Sequence, residues 1–151
     1  MKKKKPQKNE ASYLRIENLT DSWVDTYRIR LLVEWILADE RQRDVWTIGV
    51  IIVNDNDIIE LNKRYFSIDR PTDVISFNID DNAKKEGEVY ICLDQIAWQA
   101  DEYAASVKQE TLRVVAHGVY HLLGYRDDTK EAKRHIRELE DRALAYMESW
   151  L

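Results

Sequence analysis

The stretch "VWTIGVIIV", residues 45 to 53, constrains this chain more than any other. It is apolar and largely β-branched, without the regular polar positions of a strand that has one wet face, and it reads as a buried strand. Other stretches supply its neighbours. "SYLRIENL" (12 to 19) alternates Tyr13, Arg15 and Glu17 with Leu14, Ile16 and Asn18, as a strand with one buried face does. "DVISFNI" (73 to 79) alternates Val74, Ser76 and Asn78 with Ile75, Phe77 and Ile79, and "EVYICL" (88 to 93) follows it across the polar turn "DDNAKKEG" (80 to 87). The span from 73 to 93 therefore predicts a hairpin with a longish loop.

Helices must cover this sheet. "DSWVDTYRIRLLVEWILADE" (21 to 40) opens with capping residues and repeats apolar side chains at Val24, Tyr27, Leu31, Trp35 and Ile36. "DNDIIELNKRYF" (55 to 66) predicts a short helix ending before a loop through Asp69, Arg70 and Pro71. Residues 94 to 106, 108 to 124 and 129 to 150 predict three more helices, the last with Ile136, Leu139, Ala143, Met147 and Trp150 as its apolar stripe. Strands early and helices late imply an α+β fold, with about four strands in a mixed sheet covered by helices.

A chain of 151 residues suits one compact domain. The expectation is a disordered basic tail over 1–10 followed by a single domain over 11–151. Five lysines precede Glu10, and removing them from the 23 basic residues leaves 18 against 28 acidic ones, so the chain's net charge of -5 becomes -10 in the body. An acidic body does not bind nucleic acid by bulk charge, and any such contact must be local. The single cysteine, Cys92, lies in an apolar run and reads as a buried hydrophobe; no disulfide can form within one chain. No apolar run approaches the roughly 20 residues of a membrane span, and no signal-peptide core follows the lysines, so the expected compartment is the cytoplasm.

The chemistry concentrates in "HGVYHLLGYRDD" (117 to 128). On a helix, Leu112, Val115, Val119, Leu122 and Leu123 gather on one side, while His117 and His121 stand about 40° apart on the other. Two imidazoles on adjacent turns can converge on one ion. Gly124 suits the left-handed residue that ends a helix, and the reversal brings Asp127 back toward the histidines at the helix's C-terminal end. Two histidines and a carboxylate fit zinc, whose catalytic sites keep three protein ligands and leave a position for water. Asp128 and, further along, His135 are rivals for the third place. A zinc-lowered water pKa would make that water a hydrolytic nucleophile. The spacing parallels the extended zinc-protease motif, but Gly118 stands where that chemistry needs a glutamate base, and it is expected to leave open space beside the metal.

"HGVYHLLGYRD" (117 to 127), "LNKRYFSIDRPTDVISF" (61 to 77) and "GEVYIC" (87 to 92), in this order and spacing, resemble the YbeY family of bacterial metal-dependent endoribonucleases. The resemblance spans roughly residues 45 to 148. It implies an α+β fold holding one Zn2+ per chain. It also implies a single-strand-specific RNase that matures the 3′ end of the small-subunit (16S) ribosomal RNA and serves ribosome quality control. The implied partners are single-stranded and ribosomal RNA, the small ribosomal subunit, and a ribosomal protein or assembly GTPase.

Two positions depart from the family's pattern. Asp127 stands where its most frequent third ligand is histidine, which lowers the site's charge by one and weakens the ion as a Lewis acid. Phe66 stands where many members carry an arginine, leaving Arg64 or Arg70 to contact phosphate. Thr72, Asp73 and Ser76 match the family's "TDVxSF" strand near the metal cleft, although turn and strand chemistry also accounts for Asp73 and Ser76. Gly87 is expected to relieve a tight turn. No residue declares itself as general base. Of the aromatics, Trp23, Trp35, Trp46, Trp98 and Trp150 are expected in or at the edge of the core, with Tyr125 and Phe66 the nearest to an RNA contact. The competing readings are a non-catalytic, zinc-stabilised ribosome-assembly factor and, disfavoured by Gly118, a metalloprotease.

Overall fold

The computed structural model describes residues 12–41, 44–80 and 84–149; the predicted basic tail and Trp150 lie outside them. The elements run β1 (Tyr13–Asn18), α1 (Thr26–Asp39), β2 (Trp46–Val53), α2 (Asp55–Phe66), β3 (Val74–Asn78), β4 (Lys85–Cys92), α3 (Leu93–Glu102), α4 (Val107–Leu122) and α5 (Lys130–Glu148). They form an α+β fold whose one four-stranded sheet has the order β1-β2-β4-β3. β2 pairs parallel with β1 and with β4, and β3 pairs antiparallel to β4, which makes the sheet mixed.

The apolar run at 45 to 53 became the strand it predicts, since Thr47 is the only residue of β2 that is not buried. Ile48, Val50 and Ile52 pack into the main core with Ile29, Leu32, Val115 and Val119, whereas Ile51 and Val53 join Ile58, Ile75 and Cys92 in a second cluster. Alternate side chains of one strand thus feed two cores, and helices are needed on both faces. β4 starts at Lys85 rather than 88, because Trp46 and Thr47 of β2 pair with Lys85 and Glu86 and extend the strand into the expected turn.

The stripe of α1 is rotated from the sequence reading. Ile29, Leu32, Val33 and Ile36 are buried, Trp35 sits at the edge stacked on Tyr146, and Tyr27 is 69% exposed. Its sequence offers two overlapping stripes, and the one spaced 29-32-33-36 meets the sheet. Two of the tryptophans are not core residues: Trp23 precedes α1 with the Lys108 ammonium over its ring, and Trp98 stands on the outer face of α3, whose buried residues are Ile96 and Ala100. Trp46 is buried.

α4 is the central helix, with buried residues on most of its circumference. Two glycines let it lie on the sheet. A Cβ on Gly118 would collide with Val89 Cγ1 and meet Val74 Cγ2 at 3.0 Å. A Cβ on Gly87 would meet both Leu122 methyls at 2.7 Å. Gly118 therefore does not open space beside a metal, because its bare face is pressed against β3 and β4. Gly87 relieves no turn; it lies inside β4 and seats Leu122. The Ser76 hydroxyl of β3 donates to the Gly118 carbonyl at 2.9 Å and ties helix to sheet.

Gly118→Ala should lower stability by about 1–3 kcal/mol, at about 2–4 °C of melting temperature per kcal/mol. Combined with Val89→Ala, which removes the obstructing methyl, the glycine substitution should cost less than it does alone. Thermal melts of both single variants and the double variant check this.

Candidate metal centre

The end of α4 is built to turn the chain. Gly124 is left-handed at φ 101°, its N–H donates to the His121 carbonyl at 3.0 Å, and the Tyr125 N–H donates to the Tyr120 carbonyl at 3.1 Å. These two bonds form a Schellman motif, in which glycine avoids the penalty a Cβ meets at positive φ. Tyr125 completes it by packing edge-on against Tyr120, with its hydroxyl donating to Glu40 at 2.7 Å. That side chain, one of the two aromatics the sequence placed nearest to an RNA contact, is an anchor for the reversal.

The reversal brings Asp127 to the histidines. His117 Nε2 and His121 Nε2 lie 2.9 Å apart, and Asp127 Oδ2 is 3.4 Å from each. At 3.4 Å an N–H···O bond is weak. Two ligands about 2.1 Å from one ion at the tetrahedral angle, however, stand about 3.4 Å from each other. The two Asp127 separations match that figure and the histidine pair stands closer, so two imidazole nitrogens and a carboxylate oxygen form a donor set that could hold a metal ion. The rivals for the third place are elsewhere: Asp128 is exposed and pairs with Arg126 at 3.0 Å, and exposed His135 packs on the Tyr125 ring.

Beneath the triangle lies a residue the sequence reading missed. Glu140 of α5 is only 4% exposed, and its Oε2 accepts from His117 Nδ1 at 2.8 Å while its Oε1 accepts from Arg113 at 3.3 Å. A carboxylate on Nδ1 fixes the tautomer that leaves Nε2 free as a donor to metal, and it raises the basicity of that nitrogen. The signal was present: Glu140 interrupts the stripe of Ile136, Ala143 and Met147. Burial alone would lower the His117 pKa, but the hydrogen bond and charge of Glu140, with Asp127 and Asp73 nearby, hold it above the usual 6.5.

The residues suggested for substrate contact separate into two groups. Phe66, Arg70, Thr72, Asp73 and Ser76 line the same cleft as His117, His121 and Asp127, with a volume of ≈ 610 Å³. Arg64 is exposed on α2 and does not line it. The Ser76 proton is engaged by Gly118, and Asp73 accepts from Gln99 at 3.3 Å. A larger neighbouring cleft of ≈ 1020 Å³ shares Asp73 and His117 and is lined by Arg28, Lys108, Arg113 and Arg137. Cys92 is buried as expected, in a second grouping with Asp55 and Asp94. Its thiol donates to Asp55 at 3.2 Å, and burial first, then Asp55, push its pKa up to about 12.

A mixed sheet crossed by one helix that ends in a His/His/Asp triangle, with a buried carboxylate behind it, defines a class of α+β protein with a three-donor group that could hold a metal beside an open cleft. The family is specific within that class: the chain belongs to the YbeY family, described as Endoribonuclease YbeY, which matches residues 15–148. Curated relatives of that name include proteins from Chloroherpeton thalassium, 35% identical over 78% of this chain and 83% of the relative, and Chlorobium luteolum, 34% identical over 87% and 95%. The solution structure of TM1509 from Thermotoga maritima superposes with a TM-score of 0.63 at 27% identity, covering 90% of this chain and 92% of that one.

Three outcomes follow. Glu140→Gln should weaken zinc affinity by about 10- to 100-fold while the protein stays folded, as competition with a chromophoric chelator measures. Zinc binding should also weaken as pH falls through the raised His117 pKa, which lies above 6.5, because the imidazole must lose its proton to bind. Without metal the sign reverses: the His117–Glu140 ion pair contributes its full stability below 6.5 and loses it as pH rises through the folded-state pKa. Zinc titrations and metal-free melts across that range read the two slopes.

Proposed function

We propose that the chain is a zinc-dependent endoribonuclease that cuts single-stranded RNA, acting in 3′-end maturation of the small-subunit ribosomal RNA and in ribosome quality control. The observation that carries the reading is the His117, His121 and Asp127 triangle in a cleft open to solvent, in a chain whose curated relatives are named endoribonucleases. A zinc ion held there supplies Lewis acidity to the phosphodiester and lowers the pKa of the attacking water. The chain's own residues do the rest. Glu140 orients the His117 ring, and the Gly124 reversal holds Asp127 in place. Arg70, on the cleft wall, is the candidate for a phosphate oxygen, and Thr72 and Asp73 border the strand's path. Arg64, outside the cleft, is the weaker candidate.

The proposed unit is one domain over 11–151, with a basic tail before it that the described residues do not include. Its proposed setting is the cytoplasm, with the small ribosomal subunit and a ribosomal protein or assembly GTPase as partners. No helix among the described residues is long and apolar enough to cross a membrane. A second reading, a non-catalytic zinc-stabilised assembly factor, draws on Phe66, an apolar side chain on the wall of the metal cleft. The metalloprotease reading has no such support, because a glutamate at 118 would collide with Val89.

Purified protein with zinc should cleave an unstructured RNA, and chelation, His117→Ala or His121→Ala should each reduce cleavage to the level of a protein-free blank. A gel-resolved time course decides it. Equal cleavage in every sample would reveal a contaminating RNase and dismiss the enzymatic reading.

A further inference from the structure

Phe66 is the last residue of α2, and its surroundings fix it at the rim of the metal cleft. Ser67 follows in the left-handed region at φ 55°, which a side chain rarely adopts, and turns the chain sharply. The Asn62 carbonyl accepts from Ile68 at 3.2 Å, and the Asn62 amide donates to the Arg70 carbonyl at 2.9 Å. Asn62 is itself buried, so the loop after Phe66 is held from inside.

The ring is also held. It lies nearly parallel to Phe77, with an interplanar angle of 11° and centroids 6.0 Å apart. Phe77 is gripped edge-on by Tyr65 at 4.9 Å and by Tyr90 at 5.8 Å. Yet Phe66 remains 49% exposed. A rigid aromatic side chain, backed by a second ring and left half open beside a metal triangle, is poor economy for a core residue and apt for a flat apolar ligand.

We propose that Phe66 is the stacking platform for one unpaired nucleobase of the strand whose phosphate lies at the triangle. The proposal rests on the endoribonuclease reading and deepens it. A base paired in a duplex is stacked between its neighbours and cannot lie on Phe66, so the platform would itself select single strands. Stacking tolerates any base, because each has a π face, and larger purine faces should be favoured at that position. The aromatic ring thus gives position along the strand, while Arg70 and an ion that His117, His121 and Asp127 would hold meet the phosphate.

The test is binding of 2′-O-methylated single strands to the zinc-loaded protein, with each strand checked intact by gel and one nucleotide at a time made abasic. With wild type, one abasic position should weaken binding by about tenfold. Phe66→Leu should bind the complete strand about tenfold more weakly, lose nothing further at that abasic position, and melt as wild type does. Phe66→Trp should restore the wild-type profile. A flat abasic scan, or a Phe66→Leu variant that binds as wild type does, would overturn the platform. If RNA is still cleaved in that case, the nuclease reading stands alone; if wild type neither binds nor cleaves a single strand, both fall.

Discussion

The metal centre depends on how closely α4 approaches the sheet. Gly118 removes the side chain that would strike Val89, and Gly87 removes the one that would strike Leu122, so each glycine's bare backbone receives a side chain of the opposing element. With the bare face of α4 turned to the strands, His117 and His121 project along the remaining face into the cleft, half-buried. The Ser76 hydroxyl then bonds the Gly118 carbonyl and brings the β3 wall, with Thr72 and Asp73 just before it, to the histidines. One steric constraint thus sets both the histidine pair and the side of the cleft opposite it.

Electrostatics joins the second half of the site to the first. Arg113 and His117 are one helical turn apart on α4, and both reach Glu140 on α5. Arg113 also pairs with Asp141 at 2.7 Å. A carboxylate this deeply buried is costly unless it is paired, and removing either partner would leave only the other to compensate it. Arg113 and His117 meet that requirement together, so packing α5 against α4 and orienting a metal ligand are the same interaction. The stability of the helix pair and the geometry of the site are therefore coupled, and the coupling passes through one side chain.

The aromatic rim is a different kind of device. Tyr65, Phe66, Phe77 and Tyr90 form a chain of ring contacts across α2, β3 and β4, with Phe66 and Tyr65 at the exposed end. Rings held by other rings lose little conformational freedom when a ligand arrives, which favours binding without further ordering cost. The acidic body offers no general attraction for RNA, so local contacts of this kind must contribute much of any affinity.

Elements governed by local periodicity could be read directly from the chain. The β2 run is apolar throughout because both its faces are covered, α2 spans the residues its pattern predicts, and the two histidines with Gly124 place the Asp127 reversal. The parts that failed were those in which distant segments compete. The buried stripe of α1, the exposure of Trp23 and Trp98, and the anchoring of Tyr125 by Glu40 all depend on which neighbour arrives. Gly118 and Gly87 show why: a missing side chain has no periodicity, and only the opposing Val89 or Leu122 gives it meaning. Glu140 is the same case in charge, a break in an apolar stripe whose purpose is set by a histidine 23 positions earlier. The sequence by itself determined most of the helices and strands and the grouping of His117, His121 and Asp127, because those rest on the spacing of neighbouring residues. The tertiary structure alone decided the close approach, the carboxylate behind His117 and the open ring at the rim, because each is a contact between surfaces that meet only when the chain is folded.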